Sequence, residues 1–328
     1  MRRPEATVSC PGKLLLCGEY AVLSGAPAVV AAVNRRAKAR LLSRATTADS
    51  PVLYAVRQEV LRYGLEARGK RWLLPPVSVD TSAFRRKGRK LGLGSSSAAA
   101  VASCGAWLQS QGIRIEQERE LVARLSHAGH FQAQGGRGSG VDVAACTFGG
   151  VLRFVPGEPP TPLPLPHMEF AVLDTGISAS TPALLASVKQ LNHHAPDLHA
   201  AHMEGLTKVA EAFVEALSIH DPEAVVGLAD EYGMRMAALG ESCGCPIVTP
   251  TLRLVAETAR SAGGAAKPSG AGGGDLAVAF FQDREGLDRF LRACKSLGFS
   301  PLRLRIGAPG LREEDGSITT SFGIGSLP

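Results

Sequence analysis

The 328-residue sequence has no run of about 18 uninterrupted apolar residues, so it offers no obvious transmembrane helix, and Met1-Arg2-Arg3-Pro4 leads into polar sequence rather than a signal-peptide core. We therefore expect a cytoplasmic protein with no membrane partner. Aromatic residues make up only 5% of the chain, and they do not interleave with basic ones as a single-strand nucleic-acid surface would require. No nucleic-acid partner is expected, although the formal charge is +6. Charged residues are few as well, at 20% against 45% apolar, which excludes intrinsic disorder. The seven cysteines give no zinc-finger spacing: Cys243 and Cys245 form the one close pair and lack a second pair of ligands. No Walker string G-x-x-x-x-G-K-[ST] occurs, and Gly136-Arg137-Gly138-Ser139-Gly140 follows a helical stretch rather than a strand, so it is no dinucleotide fingerprint.

What the chain does have is glycine, 37 residues of it, and proline, 21, spread along the sequence as punctuation between apolar segments. Short apolar runs between Thr7 and Arg40 read as paired strands. Helical spacing covers Pro51 to Leu65, with Asp49-Ser50 as its cap, Ser95 to Gln109 and Glu116 to Ala128; strands are expected at Leu73 to Asp80 and Thr147 to Val155. Six prolines from Pro156 to Pro166 remove backbone donors and break every regular pattern. We place a domain boundary there, giving units 1–166 and 167–328. The second unit reads as a strand at Glu169 to Asp174, three helical stretches from Pro182 to Leu239, strands at Leu276 to Phe281 and Leu302 to Ile306, and a helix at Glu285 to Leu297 between them. That order describes a small α+β sandwich beside an α/β unit.

Three segments can carry chemistry. In the first, Lys90-Leu91-Gly92-Leu93-Gly94-Ser95-Ser96-Ser97, a glycine turn runs straight into an apolar helix. Such a turn lets backbone amides approach oxyanions, the helix N-terminus adds free N–H groups, and the serines reach phosphate or a metal; the same string also describes a tight turn with an ordinary serine cap. In the second, Lys267-Pro268-Ser269-Gly270-Ala271-Gly272-Gly273-Gly274-Asp275, four glycines in five residues precede an apolar strand, as a backbone lying against a ligand or a flexible loop would. The third combines Lys13 and Glu19-Tyr20 with Asp142. A cation to offset charge on a transferred phosphoryl and a carboxylate beside the acceptor oxygen are what a kinase needs; taken singly, the two residues read first as a surface lysine and a capping aspartate.

In this order and separation the three segments resemble the GHMP kinase family over nearly the whole chain, from Pro11 to Phe281. Within it, Gly18-Glu19-Tyr20-Ala21-Val22-Leu23, Asp80-Thr81-Ser82-Ala83-Phe84 and the closing Gly272-Gly273-Gly274-Asp275 look most like phosphomevalonate kinases, since mevalonate kinases more often carry a His after the Glu and lack the final Asp. The resemblance implies an N-terminal α/β domain with a left-handed βαβ crossover, a ferredoxin-like C-terminal domain, and ATP with Mg²⁺ in the cleft between them. It implies ATP contacts at Gly92, Leu93, Gly94, Ser95, Ser96, Ser97, Gly270, Gly272 and Gly273, with Ser96 on the metal. Lys13 would contact the transferred phosphoryl and Asp142 the acceptor oxygen. Glu19, Tyr20, Lys90, Arg137, Ser139, Gly140, Ser269 and Asp275 would surround a small phosphorylated acceptor. The basic run Arg85, Arg86, Lys87, Arg89, Lys90 is either a clamp on the acceptor's phosphate or a solvated turn. One departure stands out: where mevalonate kinases carry a metal-binding Glu on a helix, about eleven residues before the Asp, this chain has Phe131, flanked by His130 and Gln132. The metal is then expected on ATP oxygens, Ser96 and water. A monomer or a homodimer is compatible with all of this.

Overall fold

The chain begins by building a sheet. β1 (Thr7–Cys17) and β2 (Ala28–Leu41) pair antiparallel, and their register shifts at Pro11/Gly12 and again at Leu15/Cys17. Pro11 has no N–H to give the ladder, so the strand bends where Lys13 follows. The computed structural model describes residues 7–44 and 49–314, so the N-terminal Met1-Arg2-Arg3-Pro4 segment lies outside them. α1 (Pro51–Arg68) is capped by the Ser50 side chain, which accepts from the Leu53 N–H, as the sequence indicated. β3 (Val77–Asp80) is shorter than the strand expected from Leu73, because Pro75 and Pro76 withhold two donors, and it joins the edge of β2. A small hairpin of β4 (Arg85–Arg86) and β5 (Arg89–Lys90) then leads into α2 (Ser95–Ser110).

α2 is buried on most faces, with Trp107 fully enclosed and its indole N–H donated to the Pro75 carbonyl at 2.9 Å. Its alanines and Gly105 let it lie directly on β1 and β2. α3 (Arg119–Ala133) starts three residues later and ends five residues later than expected, which carries His130 and Phe131 onto the helix beside His127. α4 (Val141–Phe148) occupies the start of the segment expected as a strand, leaving β6 (Val151–Phe154) to pair with β2. In the proline-rich segment, β7 (Thr161–Pro162) forms a two-residue edge on β6, where Pro162 needs no ladder donor.

The second half forms a four-stranded antiparallel sheet in the order β11-β8-β10-β9, from β8 (Glu169–Asp174), β9 (Ala265–Pro268), β10 (Leu276–Phe281) and β11 (Pro301–Leu302). Before β9 come α5 (Thr181–His194), α6 (Pro196–Ser218), α7 (Pro222–Ser242) and α8 (Pro250–Ser261); α9 (Arg284–Ser296) follows β10. All six residues of β10 are buried. Period-two alternation explains this: Val278 and Phe280 join the core with Phe213 of α6, while Ala277, Ala279 and Phe281 join a separate cluster with Leu252 of α8 and Phe290 of α9. α8 and β9 were not foreseen, since the glycines at 263 and 264 masked the pattern around them.

The end of the chain returns to both halves. The expected strand from Leu302 to Ile306 is only the two-residue β11, after which Ile306 bridges Val33 and β12 (Arg312–Glu314) pairs with β1. The N-terminal sheet is therefore closed by C-terminal residues in the order β12-β1-β2-β6-β7, and the units 1–166 and 167–328 are interleaved in space. No helix among the described residues is long and apolar enough to cross a membrane.

Candidate active site

A cleft of about 810 Å³ opens between the two halves. Its floor is β1, which brings Lys13, Leu15, Glu19 and Tyr20 to the wall from strand and turn. On one side lies the turn before α2. Gly94 is the N-cap of that helix, in the left-handed region at φ +78, and no side chain caps the first turn, so the free N–H groups of α2 face the cleft. A side chain at 94 would strain this backbone, and its Cβ would lie 2.9 Å from Lys13 Cγ and 3.0 Å from Ser97 Oγ, displacing the lysine. The loop is also tied to the floor, because the Lys13 N–H donates to the Leu93 carbonyl at 3.0 Å.

Two further segments complete the walls. Gly138 to Val143, entering α4, supplies Ser139, Gly140 and Asp142, with Arg137 at the rim. Lys13 Nζ lies 3.3 Å from Asp142 Oδ1, so the two residues that sequence reasoning paired, 129 positions apart, are paired in space. From the second half come Ser269, Gly270, Ala271, Gly272 and Asp275, together with Ser178 to Leu185 at the start of α5. Gly272 packs so tightly on the Ile247 carbonyl that no Cβ fits.

Three expected contact residues stand behind the wall instead. Leu93 is a core side chain whose carbonyl serves Lys13; Ser97 is buried and donates to its own Gly94 carbonyl at 2.8 Å; Gly273 packs on Leu184 while its N–H donates to Ile247 O. Each turns inward because the helix or loop period rotates it away from the cleft. Gly92, Gly94, Ser95, Ser96, Gly270 and Gly272 do face it, and so do Tyr20, Lys90, Arg137, Ser139, Gly140, Ser269 and Asp275; Glu19 borders it, but its carboxylate is buried and turned to Lys267 behind the wall rather than to an acceptor.

The basic run divides. Arg85 folds back on the Gly88 carbonyl, Arg86 reaches the Ser300 carbonyl, and Arg89 pairs with the buried Asp174, pinning the β4–β5 hairpin to the second half. Only Arg89 and Lys90 line the cleft. Among the described residues, Lys90 and Arg137 make no ion pair, so the cleft carries two uncommitted cations besides Lys13.

Sequence reasoning missed α3's contribution. His130, not Phe131, turns towards the phosphate-side turn: its Nε2 is 3.1 Å from Ser96 Oγ and 3.4 Å from Gln134 Nε2. Burial pushes the His130 and His127 rings below the usual histidine range, and in His130 the Asp142 carboxylate opposes that shift. The signal was the i, i+3 spacing of two histidines on one helix face, visible only once the helix boundary is right. By contrast His193 and His194 are exposed on α5, and His199 is half-buried on α6, away from the cleft. Asp275 closes the glycine loop with a left-handed backbone, φ +47, and burial raises its carboxyl above the usual range; the Ala179 N–H, Arg89 and Lys13 partly offset this. Among the described residues no three His, Cys, Asp or Glu side chains converge to hold a metal ion by themselves.

Comparison with known proteins adds two family patterns: that of the GHMP kinases N terminal domain matches residues 59–150, and that of the GHMP kinases C terminal matches residues 209–299. A mevalonate kinase from Pyrococcus horikoshii is 30% identical over 94% of this chain and 97% of its own length. A phosphomevalonate kinase from Streptomyces sp. strain CL190 is 28% identical, over 92% of this chain and 97% of its own. Among solved structures, the phosphomevalonate kinase of Streptococcus pneumoniae in complex with phosphomevalonate and AMPPNP superposes with a TM-score of 0.79, at 20% identity, covering 92% of this chain and 99% of that one.

Proposed function

This chain belongs to the GHMP kinase family, and from that membership we propose that it transfers the γ-phosphoryl group of ATP to the phosphate of 5-phosphomevalonate, giving 5-diphosphomevalonate and ADP. The observation that carries the choice of acceptor is the pair of uncommitted cations, Lys90 and Arg137, on the cleft wall. An acceptor that already bears a phosphate gives both a partner. Mevalonate, a carboxylate with a neutral hydroxyl, offers less charge to the same wall. The name of the Streptomyces relative and the ligands of the Streptococcus structure support the same reading.

On this reading the residues divide the work as follows. The turn from Gly92 to Ser96 and the first amides of α2 cradle the phosphates, because no side chain caps that helix start where it lines the cleft. With no carboxylate cluster, this wall fits Mg²⁺ that arrives on the nucleotide, with the Ser96 hydroxyl as the protein's ligand. When bound, the ion neutralises charge on the phosphoryl oxygens. Lys13 adds a fixed cation opposite Asp142, and its ammonium offsets the charge that spreads over the equatorial oxygens in the transition state. The attacking oxygen belongs to a phosphate whose second pKa is about 6, so at neutral pH it is largely unprotonated. The new P–O bond forms to that oxygen as the bond to ADP breaks, and no proton has to move. Asp142 therefore orients Lys13 and the acceptor rather than acting as a base.

A second reading, mevalonate as acceptor, is favoured by the Pyrococcus horikoshii relative. The test is substitution of the two free cations. Lys90→Met and Arg137→Met are expected each to raise KM for 5-phosphomevalonate by about tenfold or more, as loss of a charge-assisted hydrogen bond does, with KM for ATP little changed. Unchanged KM for 5-phosphomevalonate in both variants would remove the argument for a phosphorylated acceptor.

A further inference from the structure

Behind the cleft lies a charged pair that the phosphoryl transfer described above does not use. Lys267, at the end of β9, has a side chain with no solvent exposure, and Glu19, in the turn after β1, is 1% exposed. Lys267 Nζ is 2.5 Å from Glu19 Oε1 and 2.7 Å from the Pro268 carbonyl, and it sits 5.6 Å from the centre of the Tyr232 ring. Glu19 Oε1 also accepts from the Gly270 N–H at 3.2 Å, while Oε2 is buried without a partner. The Tyr232 hydroxyl donates to the Glu19 carbonyl at 2.6 Å.

Stability does not account for such a pair, since a buried ion pair is on balance no better than apolar residues of the same volume. Its location does suggest a use. Glu19 comes from the first half of the fold and Lys267 from the second, and the segments they join are the floor of the cleft and the glycine loop. Next to the pair, Ser269 Oγ donates to the Leu15 carbonyl at 2.9 Å and accepts from the Leu15 N–H at 3.0 Å, and the Tyr20 hydroxyl donates to the Ala271 carbonyl. Leu15 is two residues from Lys13 on the same strand, so both side chains leave the same face. The loop from Ser269 to Ala271 is thus fastened to the strand that carries the catalytic lysine, and the Lys267–Glu19 pair is the one fully buried charged tie in the fastening.

We infer that Lys267 is a positioning residue: through Glu19 it sets the glycine loop of the second half against β1, and so fixes where Lys13 stands relative to the acceptor. Its effect falls on transfer more than on nucleotide capture, because the free N–H groups of α2 are held by the turn from Gly92 to Ser96, which meets the anchored loop only at its far end, where Gly92 lies against Asp275. The inference holds for any acceptor the enzyme uses.

The test is a double-mutant cycle on the full chain with Lys267→Met, Glu19→Gln and both together. It reads kcat with whichever acceptor is turned over, nucleotide Kd by titration, and Tm. Lys267→Met should lower kcat on the order of 10²-fold, the cost of an ångström-scale misplacement, with nucleotide Kd within about twofold of wild type and a reduced Tm. In the double variant Tm should recover, because neither charge is left buried alone, while kcat stays at the level of the worse single variant. Recovery of kcat together with Tm would make the pair merely structural and overturn the inference. So would losses in kcat that multiply, which would show Lys267 acting independently of Glu19, or a loss in nucleotide affinity as deep as the loss in kcat. Should Lys267→Met fail to fold, Tyr232→Phe, which frees the Glu19 carbonyl and leaves both charges in place, must lower kcat several-fold at unchanged nucleotide Kd; a wild-type kcat in that variant overturns the inference equally.

Discussion

Lys13 and Asp142 are held 3.3 Å apart, one on a bent strand and one in the first turn of a short helix. Removing the ammonium in Lys13→Met is expected to lower kcat by about 10²–10³-fold, the size of a lost preorganised electrostatic donor, with far-UV circular dichroism and Tm close to wild type. Asp142→Asn separates two roles. Loss of about tenfold fits an orienting carboxylate, as a phosphate acceptor requires; loss as deep as that of Lys13→Met would mean proton abstraction, and with it an alcohol acceptor. Asp275 gives a prediction of another kind. Its carboxyl is raised by burial, so the folded state binds its proton more tightly than the unfolded chain does, and the cost of keeping it ionised is fully present above the folded value and vanishes as pH falls below the ordinary carboxylate range. Asn tolerates the left-handed backbone at this position. Asp275→Asn should therefore raise Tm at pH 7 and show a shrinking gain as the melt is repeated towards pH 4, while turnover falls. A gain that persists unchanged at low pH would contradict the assignment of that cost to the ionised carboxylate.

At the level of elements, the two glycine segments owe their shape to different causes. Gly94 is required by a left-handed cap and by the space Lys13 needs, whereas Gly272 is required by the Ile247 carbonyl beneath it. Gly94→Ala should therefore spare much of the fold, costing roughly 1–2 kcal/mol for the backbone alone, yet remove most nucleotide binding by straining the cradle and displacing Lys13. Gly272→Ala should lower Tm by a larger amount, because the backbone of the loop has to move. Isothermal titration with ATP and a thermal melt check both; a Gly94→Ala protein that binds nucleotide as wild type would contradict the cradle. The glycine segments were legible in the sequence because a glycine string running straight into a helix or an apolar strand costs chain entropy that a tight turn or a close backbone approach offsets. The helix of α3 was legible but its end was not, since Arg119 to Ala133 has weak start and stop signals, and that late end is what brings His130 to Ser96. The strand expected from Thr147 to Val155 is β6 over Val151–Phe154 and starts late for a related reason: short apolar segments such as Val141 to Phe148 fit a buried helix as well as a strand until the packing of α4 on β1 decides.

For the whole molecule, local pattern carried the order of elements but not their closure. Residues 301–314 hold only five strand residues, yet they edge one sheet at β11, bridge Val33 at Ile306 and complete the other sheet at β12, so the two halves share one backbone at both ends. Nothing in a window of a few residues reports such long-range pairing, and the same is true of the Lys267–Glu19 tie, whose partners are 248 positions apart. The cleft depends on that closure, because its walls come from Gly92 to Ser96, Arg137 to Val143, Ser178 to Leu185 and Ser269 to Asp275 on a floor made by β1. A phosphorylated acceptor facing Lys90 and Arg137 is the central claim about what enters it. The most direct test follows ADP release from Mg²⁺-ATP with mevalonate, 5-phosphomevalonate, 5-diphosphomevalonate, homoserine and galactose offered in parallel. The account predicts turnover with 5-phosphomevalonate and none above background with the other four; turnover with mevalonate while 5-phosphomevalonate stays silent would contradict it.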